Sequence, residues 1–267
     1  MSDETNQHQQ TPSVEEDPTY FELHAYSGAT KHMGGLSTTK ELIELCGIDE
    51  RTHVLEVGCG TGATSRYLAQ KLRCRVLGVD VRPSMIEQAR DRAAKAHVQD
   101  RVEFRVADAT ALPFEDATFD AVLVESVTTF IEDKSAAIGE YARVLKPGGC
   151  VGLNEEIWHK TPPPLEIVEY AAQTWDVQAK ILTLDGWVEL LKDSGLIVEL
   201  ASPRRYGPLT DFSELARYGC RDFLTILGRS LRLYSTSPAF RKYMRGRRRL
   251  PKGIWDYLGY ALLVGRK

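Results

Sequence analysis

Apolar residues recur along this chain in two rhythms: short unbroken runs ending at a glycine or an acid, and longer stretches with apolar positions three and four apart. The short runs predict buried strands and the longer ones amphipathic helices. Val54-Leu55-Glu56-Val57 is the first such run, and it opens onto Gly58-Cys59-Gly60-Thr61-Gly62. Glycines placed there let the backbone turn tightly and approach a ligand with no side chain between. Thr64 to Leu72 then has Tyr67, Leu68 and Leu72 at helical spacing, so the unit reads strand, glycine turn, helix. Arg75 to Val81 predicts a second strand ending at Asp80, followed by a helix over Met85 to Ala96 behind Pro83 and Ser84. A third strand, Val102 to Val106, runs into Ala107-Asp108-Ala109, and a fourth, Phe119 to Val124, ends at Glu125.

A helix over Ser135 to Leu145, a turn at Lys146-Pro147-Gly148-Gly149 and a fifth strand over Cys150 to Asn154 come next, opening onto Glu155-Glu156-Ile157-Trp158-His159. Ahead of the first strand, Ser37 and the threonines after it suit the capping of a helix through Leu42, Ile43 and Leu45, stopped by Gly47. Tyr20 to Gly35 reads as a short helix and a loop, either a lid or packing for the body. Further helices are predicted over Leu165–Ala179 and Asp185–Ser194, a sixth strand over Leu196–Leu200, and a last strand over Trp255–Gly265. The segment from about 208 to 251 between these two strands reads as mostly helical.

Strands and helices alternating at short intervals imply a parallel sheet with helices on both faces, and ligands of such sheets sit beyond the carboxyl ends of the strands. Glu56, Asp80, Asp108 and Glu125 all fall near those ends. Asp80 stands where a carboxylate can accept from both hydroxyls of a ribose; its plainer alternative is capping the next helix, which Ser84 can do as well.

Composition bounds the picture. With 267 residues and 43% hydrophobic content the chain builds one substantial core. No apolar run reaches the roughly 20 residues of a membrane helix, and Met1 to Pro18 is polar and acidic where a secretory leader is basic and apolar. The expected setting is cytoplasmic, with no membrane partner. Five scattered cysteines without a C-x-x-C pair signal neither a disulfide framework nor a metal site.

Net charge is −3, but residues 1–18 hold five acids and no Lys or Arg, whereas 203–252 hold thirteen Lys or Arg against Asp211, Glu214 and Asp222. Residues 1–18 are expected to be a disordered acidic tail, 19–267 a single domain, and 208–251 its basic helical cap. The cap reads first as a solvated or intramolecular face, then as a site for an anionic small substrate, and least as a nucleic-acid or membrane surface.

The series Glu56-Val57-Gly58-Cys59-Gly60-Thr61-Gly62, Gly78-Val79-Asp80, Ala107-Asp108-Ala109 with Leu112-Pro113-Phe114, Phe119-Asp120 and Arg143-Val144-Leu145-Lys146-Pro147-Gly148-Gly149 resembles the class I S-adenosylmethionine-dependent methyltransferases, in particular their small-molecule branch. The likeness runs in order from about Leu42 to Asn154. It implies a Rossmann-like, seven-stranded, mostly parallel α/β sheet with the last strand antiparallel, helices on both faces and a helical cap inserted before that strand. It also implies that the turn Gly58, Cys59, Gly60 and Gly62 meets the methionine portion of the donor and Glu56 lies near its amino group. Asp80 would then hold the ribose, Val81 and Met85 would flank the adenine, and Asp108 with Ala109 would read its amino edge. NAD is the competing cofactor, since Gly58-x-Gly60-x-x-Ala63 also fits G-x-G-x-x-G/A. Against it stand Glu56, Asp108 and the Lys-Pro-Gly-Gly turn.

Direct displacement of the methyl group needs mainly positioning, which can supply about 7–11 kcal/mol of the barrier. A base adds a factor of about 10²–10⁴ where the acceptor must lose a proton. His32, Glu125, Glu155 and His159 are the base candidates; Tyr26, His32, Glu156 and Trp158 are candidates for substrate contact, and Glu125 also for the donor. Glu155 and Glu156 are adjacent on a strand, so at most one is expected to face the site. The fourth strand ends in Glu125-Ser126-Val127-Thr128, which departs from the Asn/Asp-Pro-Pro-Tyr/Phe pattern of methylation at exocyclic base amines, and the cysteines give no arsenite-binding trio. A small metabolite with an O, N or C nucleophile is the expected acceptor, yielding S-adenosylhomocysteine without a metal. The alternatives are a non-catalytic S-adenosylmethionine-binding protein, or a methyltransferase that takes an anionic or nucleic-acid substrate through the cap. No motif specifies the acceptor or the oligomeric state.

Overall fold

The computed structural model describes residues 20–28, 32–175, 180–206, 220–246 and 250–267. Its sheet grows outward from β1 (His53–Val57), whose last four residues are buried because helices cover both faces. On one side lie β2 (Arg75–Asp80) and β3 (Val102–Val106), on the other β4 (Phe119–Glu125) and β5 (Leu145–Trp158), all parallel. β8 (Leu258–Arg266) runs antiparallel between β5 and β7 (Ile197–Arg205), so the order is β3-β2-β1-β4-β5-β8-β7. A two-residue β6 (Leu182–Thr183) joins the end of β5, giving eight strands where the pattern predicts seven.

Because side chains alternate along a strand, Val54 and Leu55 enter different cores. Val54 joins Val76, Phe104 and Leu123 under α2 (Gly35–Leu45), α3 (Ala63–Lys71) and α4 (Pro83–Lys95), with Leu42, Leu68 and Ile86 as the helical contributions. Leu55 joins Val122, Leu153 and Leu263 under α5 (Lys134–Val144) and α7 (Leu184–Asp193), which supply Ile138, Tyr141, Trp187 and Leu191. Each such side chain contributes roughly 1.5–3 kcal/mol by leaving water.

Several boundaries differ from the sequence expectation; the strand expected over Leu196–Leu200, for one, runs on to Arg205 because β8 pairs with it that far. β5 starts at Leu145 opposite Phe119 and resumes pairing at Cys150 opposite Ala121, so Lys146 to Gly149 form an outward bulge within the strand and not a turn before it. Lys146 Nζ holds Asp120 Oδ1 at 2.7 Å there. β5 then continues through Glu155 and Glu156 to Trp158 because β8 pairs with it all the way. The last strand is correspondingly shorter at its start, where α10 (Ile254–Tyr257) takes the residues before Leu258. α2 begins on left-handed Gly34 without a side-chain cap, for Ser37 Oγ and Thr38 Oγ1 donate backwards to the carbonyls of Gly34 and Met33.

The remaining helices are α1 (Tyr20–Ser27), α6 (Leu165–Trp175), α8 (Cys220–Thr236) and α9 (Pro238–Gly246). Leu23 of α1 packs with Leu233 and Phe240 of α8 and α9, so the N-terminal helix and the basic cap form one layer. The expected tail over 1–18, the end of the predicted helix at 176–179 and Arg247 to Arg249 lie outside the described residues. Among the described residues no helix is long and apolar enough to cross a membrane.

Candidate functional site

The strand order reverses between β1 and β4, and the glycine turn lies at that switch point. Gly58, Gly60 and Gly62 have φ of 68°, 51° and 72°, left-handed values that glycine adopts without strain. Gly58 also has no room for a side chain, since a Cβ there would overlap the Val127 side chain. The Cys59 N–H donates to Val79 O at 2.9 Å, tying the turn to β2. Asp80 completes the tie: its Oδ2 accepts from Gly60 N at 3.0 Å and its Oδ1 from Arg82 N at 2.9 Å. Burial pushes the Asp80 carboxyl above the usual range, and these two N–H groups oppose that rise. Each oxygen keeps a second lone pair.

Two arginine contacts brace the turn from behind. Arg92 of α4, buried, donates to Thr61 Oγ1 at 2.6 Å and to Gly28 O at 2.7 Å, linking the turn to the end of α1. Arg66 of α3 holds Asp222 of α8 at 2.9 Å. The cap is therefore fastened to the two helices that follow the first two strands.

Glu56 is buried within β1 and accepts from Ser65 Oγ at the start of α3. At the end of β4, Glu125 collects three polar groups: Thr39 Oγ1 at 2.8 Å, Thr64 Oγ1 at 3.0 Å and His32 Nε2 at 3.5 Å. His32 Nε2 also lies 3.2 Å from Thr39 Oγ1, and its Nδ1 lies 3.3 Å from Met33 O. All four side chains are buried or nearly so. Beyond them Ser126 takes φ 55°, turns its N–H to Asn154 O at 2.7 Å, and accepts from Met33 N at 3.2 Å. Asn154 Nδ2 donates to Met33 O at 2.6 Å. The segment after α1 is thus laced across the ends of β4 and β5.

The structure brings Glu56, the glycines, Asp80 and the His32–Glu125 pair to one end of the sheet and spreads the other predicted residues around them. Val81 is 57% exposed just past β2, and Val106 is 49% exposed at the end of β3 beside it; Met85 is buried in the first turn of α4. Asp108 accepts from the N–H and hydroxyl of Thr110, which hold its carboxyl below the usual range, and Ala109 is buried behind it.

The remaining polar candidates are engaged elsewhere. Glu155 is fully buried and takes the N–H groups of Thr128 and Thr129 at 2.8 and 2.9 Å and the Thr129 hydroxyl, so it holds the short helical turn over Thr128–Phe130 in place of the expected base role. Burial pushes its carboxyl up while those donors oppose the rise. His159 pairs Nε2 with Arg204 O at 2.9 Å on β7, away from the glycines and likewise engaged. Glu156 is buried at the same strand end, its backbone oxygen accepting from the Trp187 indole at 3.0 Å. Tyr26 and Trp158 serve packing, Tyr26 beside Leu23 and Phe240, and Trp158 beside Ile167, Ile254 and Leu258. Arg92, Thr39, Thr64 and Asn154 were not legible as site residues. Arg92 left one trace, a charge inside the apolar stripe of Met85, Ala89 and Ala93.

The donor set fits a nucleoside that carries a cationic, amino-acid-like arm: a carboxylate for ribose hydroxyls, another beside the turn for an amino group, bare backbone at the glycines and exposed valines for a flat base. Among the described residues no cluster of His, Cys, Asp and Glu could hold a metal. Residues 55–153 match the family model described as a methyltransferase domain. Phosphoethanolamine N-methyltransferase 1 of Arabidopsis thaliana is 35% identical over 175 residues, which cover 64% of this chain and 34% of that enzyme. The chain thus spans about a third of that relative's length. Among solved structures, the [4+2]-cyclase SpnF superposes with a TM-score of 0.72 at 21% identity over 96% of this chain and 99% of its own. Phosphoethanolamine N-methyltransferase 2 of Haemonchus contortus in complex with S-adenosyl-L-methionine superposes with a TM-score of 0.71 at 22% identity, over 92% of this chain and 56% of its own. At these identities the superpositions speak for the fold.

Proposed function

We propose that this protein, which carries a methyltransferase domain over residues 55–153, transfers a methyl group from S-adenosylmethionine to a small-molecule nucleophile. The observation that carries the reading is the junction of Gly60 and Asp80, where one carboxylate both fixes the glycine turn and stands at the end of the second strand. When bound, S-adenosylmethionine supplies a sulfonium methyl open to direct displacement. Gly58, Cys59, Gly60 and Gly62 are assigned to its amino-acid arm with Glu56 beside them, Asp80 to its ribose, and Val81, Met85, Asp108 and Ala109 to its base. No covalent enzyme intermediate is needed, and the residues' work is alignment and exclusion of water.

His32 and Glu125 are assigned to the acceptor side. Thr39 Oγ1 and Met33 O lie beside the two imidazole nitrogens and fix the ring against Glu125. Glu155 and His159 stand outside this cluster, held by Thr128 and Thr129 and by Arg204 O, and are not assigned to proton transfer. The cap is tied to the body of the molecule by Arg66–Asp222 and Arg229–Gln88. We place the enzyme in the cytoplasm, in keeping with the free, buried state of Cys46, Cys59, Cys74 and Cys150.

Calorimetry with S-adenosylmethionine and S-adenosylhomocysteine, followed by a methyl-transfer screen over metabolite fractions, tests the proposal. Binding of both and transfer to a small acceptor are the expected results. Failure to bind either would overturn it, and binding without transfer to any fraction would favour a non-catalytic binding protein.

A further inference from the structure

α8 has two apolar faces. Leu233 on one is buried against Leu23 of α1. On the other, Phe223, Leu224, Leu227, Leu231 and Tyr234 follow a spacing of three and four residues and are all exposed, Leu224 by 65% and Leu231 by 62%. At 100° per residue these five fall within one arc of roughly 100°, a continuous stripe along three turns. Single exposed apolar residues are ordinary, but a contiguous stripe of this length marks a contact surface. The charge around it is of one sign: from Phe223 to Lys252 the sequence has nine Lys or Arg and no Asp or Glu. Arg232 on α8 and Lys242 and Arg245 on α9 are exposed within this stretch.

We propose that this face of α8 docks on the surface of an anionic lipid bilayer, with the apolar stripe entering the headgroup boundary and the arginines and lysines meeting lipid phosphates. An aliphatic stripe bordered by uniform positive charge is the pattern of a helix that lies in the plane of a membrane, and Tyr234 suits the same interface. Such a helix needs no spanning length, so the lack of a membrane-crossing helix among the described residues does not bear on it. Competing occupants match only half of the surface. The acidic stretch 1–18 complements the charge, yet its only aliphatic side chains are Met1 and Val14, too few to cover five large residues. A second copy would cover the stripe while setting basic cap against basic cap. Nucleic acid would meet the charge and leave the leucines in water.

The test uses the full chain with vesicles of phosphatidylcholine alone and of phosphatidylcholine with 30 mol% (about a third) phosphatidylglycerol, read by flotation at low and high salt. Association with the anionic vesicles alone, weakened by salt, is expected. Leu224→Ser with Leu231→Ser should reduce it at least tenfold, and Arg232→Glu with Arg245→Glu should do the same. These positions are exposed, so both variants should keep the wild-type melting temperature, and that measurement separates lost docking from lost folding. No association with either vesicle, association indifferent to both variants, retention on DNA without vesicle binding, or a dimer in light scattering that Leu231→Ser dissolves would each overturn the proposal.

Discussion

At the scale of single residues, Asp80 has one observed task and one proposed task. Its oxygens bridge the Gly60 and Arg82 N–H groups, and its position at the end of β2 assigns it the ribose. Hydrogen bonds to a charged partner contribute about 1.5–3 kcal/mol, so Asp80→Ala should weaken S-adenosylhomocysteine binding by roughly tenfold to a hundredfold. Calorimetry decides: an unchanged affinity removes the ribose role. His32 makes a separate prediction. His32→Gln should leave donor affinity near wild type and lower the turnover number by about 10²–10⁴ if the ring takes the acceptor's proton. Turnover that is unchanged across pH would return His32 to a purely structural part in the Glu125 cluster. The geometry behind these proposed roles was unequally legible. Asp80, Glu56 and the glycines sit at fixed offsets from strand ends, which a sequence displays. The pairing of His32 with Glu125 spans 93 residues and exists only because the segment after α1 crosses the ends of β4 and β5. The partners of Glu155 were not legible, because an acid at a strand end looks the same whether it faces a ligand or the N–H groups of a neighbouring turn.

At the scale of elements, the loop from Asp108 to Asp116 depends on α5. Arg143 donates to the carbonyls of Leu112 and Phe114 and to the carboxylates of Asp116 and Glu140, and Glu140 accepts from Leu112 N at 2.7 Å. The Arg143 guanidinium holds the Glu140 carboxyl below its usual value. A carboxyl lowered by folding stabilises the fold above its unfolded value, near 4.5, and that stabilisation is lost as pH falls through the folded value. Glu140→Gln should therefore cost about 1–2 kcal/mol at neutral pH, where the wild type melts higher, and the two melting curves should converge in acid as pH falls through the folded value. Curves that stay apart by the same amount in acid would show that the charge on Glu140 is not what holds the loop. The sequence displayed Arg143 and the Lys-Pro-Gly-Gly run as family-like punctuation, while the bulge that Lys146 to Gly149 form could not be read from it. A turn and a bulge use the same glycines; only the partner strand, with Phe119 facing Leu145 and Ala121 facing Cys150, distinguishes them.

At the scale of the whole molecule, one end of the sheet is roofed by a layer of α1, α8 and α9, whose polar links to the body include Arg92 to Gly28, Arg66 to Asp222 and Arg229 to Gln88. The parallel core follows from alternation and short buried runs, which is why it was legible from the chain alone, whereas the antiparallel last strand was expected only from the family resemblance. The roof was legible only as charge, because amphipathic helices with two apolar faces do not state which face meets the protein. The position of β8 has a consequence for how the molecule is made. It lies between β5 and β7, pairs with both along nearly its whole length, and is the last of the eight strands to leave the ribosome. Until it arrives, both neighbours expose bare backbone edges of the sort that recruit strands from other chains. A growing chain is thus most vulnerable just before its final strand emerges, and the time it spends in that state sets how much help it needs from chaperones.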